Sequence, residues 1–179
     1  MTIGAGATWV FTRQPFAAPP PAVALDVHKT PVLPTQHLLD ALAEAASSGN
    51  AEQAGRYSQA IAALGPEALP EIRKRLQAPN LSTEAFSAYA TALVEAGGQD
   101  VFPEAEALWK SPRAGMTLKR PLAIAISKRR SPQAGQTLLD LWLTETNPEA
   151  QKLLADALKT NPAVNAPLAD AAWKQSKDP

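Results

Sequence analysis

The 179-residue chain is expected to fold as an all-α protein, a right-handed α-solenoid of about four and a half short helical hairpins. Three observations predict it. Ala occurs 36 times and Leu 21 times, whereas Val and Ile together occur 12 times, so good helix formers dominate and strand formers are scarce. From Thr35 onward, helix-length segments alternate with Gly, Pro and Asn punctuation. Bulky and apolar positions then recur at a step of about 33 residues.

Residues 1–34 stand apart from this pattern. Ile3 to Phe11 is an apolar, Gly/Ala-rich run containing Trp9, and Arg13 closes it. The run is too short to span a bilayer and lacks the basic start of a signal peptide. Pro15, Pro19, Pro20, Pro21, Pro31 and Pro34 follow, a composition that supports neither helix nor sheet ladders. Two readings fit: a tail without regular structure, or the trimmed end of a membrane anchor or export signal with a spacer behind it. Trp9 suits a membrane interface under the second. That second reading favours a periplasmic or membrane-anchored domain over a cytoplasmic one.

The helical region, 35–179, is punctuated by one grammar. Ser131-Pro132, Asn147-Pro148 and Asn161-Pro162 each place a capping side chain before a Pro at the first helical position. Junctions this close imply three-turn helices joined by short loops, so neighbours lie antiparallel. Helices are expected near 35–48, 50–64, 66–78, 82–96, 100–111, 116–130, 133–144 and 147–160, with a last one near 163–175.

Two series keep the same step. Leu76, Trp109, Trp142 and Trp173 are separated by 33, 33 and 31 residues and are expected to fill one bulky core position. In the second helix of each unit, Ala85, Tyr89, Ala92 and Leu93 match Leu118, Leu122, Ala125 and Ile126. They match again Ala150, Leu154, Ala157 and Leu158. Each set lies on one helical face, and a single hairpin cannot bury both of its stripes, so the units must stack.

Pro70, Pro103 and Pro167 early in the first helix, a bulky residue six positions later, and the Ala/Leu finish at Ala85–Leu93 and Ala150–Leu158 resemble the HEAT-repeat family over about residues 35–175. The 31–33-residue unit is similar to short bacterial HEAT-like repeats of the phycobilisome-lyase type, with no bilin chemistry implied. The resemblance implies a solenoid that holds protein partners. Ala78 and Ser111 stand where the family commonly has an Asp that ladders with an Arg, so stacking mainly by apolar packing is expected. A tetratricopeptide array is the nearest competitor, but the Pro inside the first helix favours the HEAT-like unit.

Little catalytic chemistry is visible. Cys is absent, which removes thiolate nucleophiles, thioether cofactor links and zinc–sulfur sites. His28 and His37 are the only histidines and share no ligand spacing or carboxylate cluster, so no metal and no cofactor is expected. The carboxylate pairs Asp40/Glu44, Glu67/Glu71, Glu104/Glu106 and Glu145/Glu149 mostly fall where helix dipoles favour negative charge. Gly4-x-Gly6 has no strand before it and no phosphate-loop pattern after it.

Charge is the one uneven feature. The 17 basic and 17 acidic residues cancel, yet no acid lies between Glu106 and Asp140. That stretch holds Lys110, Arg113, Lys119, Arg120, Lys128, Arg129 and Arg130, a candidate binding patch for phosphate, lipid headgroups or an acidic peptide. No aromatic residues interleave with it as base-stacking platforms, so nucleic acid is not the expected partner. The expected function is a non-catalytic protein-interaction or scaffold module, tethered at a bacterial envelope if the N-terminal run is an anchor. The alternative is an anion- or nucleic-acid-binding solenoid using the patch at 110–130.

Overall fold

Helix boundaries follow capping chemistry closely enough to be explained residue by residue. The computed structural model describes residues 35–160 and Asp170. The expected 1–34 segment with Trp9 and His28, and the expected last helix with Pro167 and Trp173, lie outside the described residues. The described part is all-helical: α1 Thr35–Ser47, α2 Ala51–Leu64, α3 Leu69–Leu76, α4 Thr83–Gly97, α5 Phe102–Trp109, α6 Met116–Ser127, α7 Pro132–Thr144 and α8 Pro148–Lys159. Short 3-10 turns at Gly65–Ala68 and Gly98–Val101 precede α3 and α5.

Side chains start four of these helices. Asn50 accepts from the Gln53 N–H, Ser82 from Ala85, Ser131 from Ala134, and Asn147 from Glu149 and Ala150. Pro132 and Pro148 follow two of these caps at a position whose N–H has no helical partner. Gly65 and Gly98 end α2 and α4 with φ of +64° and +65°, a conformation other residues enter at a cost. They lie one 33-residue step apart.

Two of the expected helices, 66–78 and 100–111, are split rather than continuous. A helix running unbroken from residue 66 would need the residue-70 N–H to reach the Pro66 carbonyl, and Pro70 has none. The Leu69 N–H bonds to Pro66 instead, in the tighter 3-10 pattern. Phe102 does the same to Gln99 ahead of Pro103.

Packing keeps the repeat step. All twelve residues of the second-helix series are buried, from Ala85 in α4 through Ile126 in α6 to Leu158 in α8. The bulky series is less uniform than expected. Trp109 is buried, but Leu76 and Trp142 are half-buried against the core edge. Long side chains at a helix end reach past the layer that covers them. The fully covered first-helix positions are smaller and also step by 33: Ala68, Val101 and Ala134, then Ile72, Ala105 and Leu138. α4 is central, packing on α1, α2, α3 and α6.

Polar contacts add to the apolar packing between the helices. Arg75 of α3 pairs with Asp40 of α1 at 2.5 Å, and Arg73 of α3 with Glu104 of α5 at 2.5 Å. Tyr89 of α4 donates to the Leu39 carbonyl of α1 at 3.1 Å, fully buried. Burial raises the Tyr89 phenol, against the opposing pull of Arg75, so it stays a neutral donor at neutral pH. The Arg73–Glu104 pair spans 31 residues, near the 33-residue step, and the Tyr89–Leu39 bond spans 50.

Candidate binding groove and the basic patch

The structure gives six of the seven basic residues a partner. Lys110 pairs with Glu106 at 3.7 Å, Arg120 with Glu149 at 3.5 Å and Lys128 with Glu95 at 3.9 Å. The Arg113 guanidinium lies 4.4 Å from the Phe86 ring centre and donates to the Leu81 carbonyl at 2.7 Å. Arg129 donates to the Val94 carbonyl at 2.6 Å and to that of Glu95, covering the C-terminal end of α4. Lys119 is turned inward onto Glu145 at 2.6 Å. Arg130 is exposed, with φ of +45° just past α6. The neutralising acids Glu95, Glu106, Glu145 and Glu149 all lie outside the acid-free stretch, which is why the linear sequence shows the cations without their partners.

Lys119 and Glu145 form the most buried ion pair among the described residues, with side-chain exposures of 14% and 8%. Trp109 Nε1 donates to the same Glu145 oxygen at 2.8 Å, and the Thr146 and Asn147 N–H groups reach the other at 3.1 and 3.0 Å. The ammonium also lies 5.3 Å from the Trp109 ring centre. Burial would raise the Glu145 carboxyl, but the hydrogen bonds from Lys119, Asn147 and Trp109 outweigh it and lower it to about 2. An adjoining hollow of about 250 Å³ is lined by Lys110, Ser111 and Thr144 as well. Because both charges are already paired, the cluster reads as a clamp between α5, α6 and the α7–α8 loop.

A larger groove lies elsewhere. About 400 Å³ in volume, it runs along α4 between α2 and α6. Its floor is one stripe of α4: Glu84, Ser87, Ala88, Thr91 and Glu95. Those spacings place all five on one helical face. Ala54, Gly55, Ser58 and Gln59 of α2 form one wall, and Thr117 and Pro121 of α6 the other.

Both walls are pinned to the floor. Ser58 of α2 donates to the Glu95 carboxylate. On the other side, Pro121 sits inside α6 and cannot donate to the Thr117 carbonyl four residues back. Ser87 of α4, buried to 5% exposure, supplies that missing donor at 2.8 Å. Thr91 returns its hydroxyl to the Ser87 carbonyl at 2.9 Å. No motif search marks these residues; the available signal was a Pro in the middle of a helix-forming run.

Among the described residues no group of His and carboxylate side chains could hold a metal ion, and no helix is long and apolar enough to cross a membrane. No family model matches the chain, and neither a curated protein nor a solved structure matches it.

Proposed function

We propose that the chain is a short right-handed HEAT-like α-solenoid that acts as a non-catalytic protein-interaction module, with the α2–α4–α6 groove as its binding face. The groove carries this reading. It is concave, its floor side chains are short, and its walls are fixed by Ser58–Glu95 and Ser87–Thr117, so a partner pays little to order it. Support for the repeat comes from the burial of the second-helix series at steps of 33 and then 32 residues. On the composition of residues 1–34 the proposal extends to a module held at a bacterial envelope, which separation of membrane from soluble fractions tests.

Site-specific photocrosslinking tests the binding face. A photoreactive residue at Gln59, in the groove wall, is expected to give discrete protein adducts in the source cells that persist at 0.5 M salt, on the order of fifty times the ionic strength at which surface fields reach ~30 Å. The same residue at Gln77, exposed just past the end of α3, is expected to give none. Equal labelling at both positions contradicts the assignment. Adducts that fail to form when irradiation is done in salt, or on charge reversal of Lys119, Arg120, Arg129 and Arg130, would favour the basic-patch alternative.

A further inference from the structure

The groove's chemistry also restricts what lies in it, on the premise that it is the binding face. Three of its four lining hydroxyls are already committed: Ser58 to Glu95, Ser87 to the Thr117 carbonyl, and Thr91 to the Ser87 carbonyl, which leaves Thr117 and the Gln59 amide at the walls. Apart from the Thr117 carbonyl, which Ser87 serves, the helices forming it satisfy their own backbones along the groove. An extended guest would find few partners for its N–H and C=O groups there, whereas a helical guest brings its own. Short side chains at Gly55, Ala54, Ala88 and Thr91 let a helix approach closely.

Charge sets the rest. Glu84 lines one end of the groove, is exposed, and makes no ion pair among the described residues. Glu95 lines the other end. One of its oxygens accepts from Ser58, and the other faces Lys128 at 3.9 Å, a 67% exposed side chain at the same end of the groove that a guest cation would have to displace. The two carboxylates are eleven residues apart on one face, about 16 Å along the axis. Cations eleven residues apart on a guest helix have the same spacing and the same face.

We propose that the groove receives a partner helix carrying two cationic side chains eleven residues apart, one over Glu84 and one over Glu95. A phage-displayed library of 20-residue peptides on an Ala-rich helical frame, panned against the full chain, tests it. Selected peptides are rescreened against Gly55→Trp and Glu84→Gln/Glu95→Gln. A Cβ built at Gly55 meets nothing within 4 Å, so a side chain can start from this groove-lining position, and an unchanged thermal melt verifies that the fold is intact. The expected result is enrichment of Lys or Arg at that spacing. Binding is then abolished by Gly55→Trp and weakened about tenfold by the double Gln variant. Peptides that depend on the open groove but carry no such cations overturn the partner class and leave the binding face standing. Peptides indifferent to Gly55→Trp, or no enrichment at all, overturn both.

Discussion

Lys119 Nζ lies 2.6 Å from Glu145 Oε2 in a setting that leaves both side chains nearly covered. The folded-state carboxyl lies at about 2, below its ordinary 4.5, so the native protein binds fewer protons than the unfolded chain between those values. The clamp's contribution is complete above pH about 4.5 and is lost as the pH falls through about 2, amounting to no more than about 3 kcal/mol. Glu145→Gln is expected to lack that segment of the acid transition. Urea unfolding at pH 7, 4.5, 3 and 2 checks it: the gap between the two proteins should be about 2–3 kcal/mol at pH 7 and close at pH 2. A gap that stays constant across that range contradicts the assignment.

Ser87 and Pro121 are expected to behave as one unit. Ser87→Ala leaves the Thr117 carbonyl without a donor and should cost about 1–2 kcal/mol. Pro121→Ala restores an N–H four residues after Thr117, so adding it to Ser87→Ala should recover most of that loss. A double-mutant cycle by chemical denaturation measures the coupling, and purely additive effects would rule it out.

Two glycines are expected to respond in opposite directions. At Gly97 an added Cβ would lie 2.3 Å from Val101 Cγ1 and 3.0 Å from Leu69 Cδ2, joining the end of α4 to the turn before α5. Gly97→Ala should lose about 1–3 kcal/mol despite the better helix propensity of Ala. At Gly55 the space is open, and Gly55→Ala should gain roughly 0.5–1 kcal/mol. Thermal melts of the pair decide it.

Arg129 is expected to matter for stability more than its neighbour Arg130. It reaches the carbonyls of Val94 and Glu95 across a unit boundary, whereas Arg130 is exposed. Arg129→Ala should cost about 1.5–3 kcal/mol, the range for hydrogen bonds from a charged donor, and Arg130→Ala within about 0.5. Equal effects in urea unfolding would return the two residues to a common patch.

The helices and the burial of their second-helix stripes are legible in the sequence because capping residues and 3.6-residue periodicity act locally. Ser131-Pro132 and Asn147-Pro148 start helices as their chemistry requires. Pro70 and Pro103 signal helix starts too, but the 3-10 turns ahead of them depend on one backbone bond that a pattern does not display. The basic residues of 110–130 show their partners only in the fold. Lys119 looks exposed in a linear run of cations, and only the fold brings Glu145, 26 residues away, against it. The groove is hidden for the same reason: Ser58 and Glu95, or Ser87 and Thr117, are partners only after α2, α4 and α6 pack together.

Stacking of hairpins one unit apart is the central claim, and one contact tests it with little ambiguity. Ser47 at the end of α1 and Ser82 before α4 are exposed, with hydroxyl oxygens 3.0 Å apart across 35 residues. The chain has no native Cys, so Ser47→Cys/Ser82→Cys introduces a single thiol pair. With the hairpins in this register, mild oxidation should consume both thiols in an intramolecular disulfide, read by thiol titration and by faster migration on a non-reducing gel. Thiols that stay free under oxidation, or that cross-link only between molecules, would contradict the stacking.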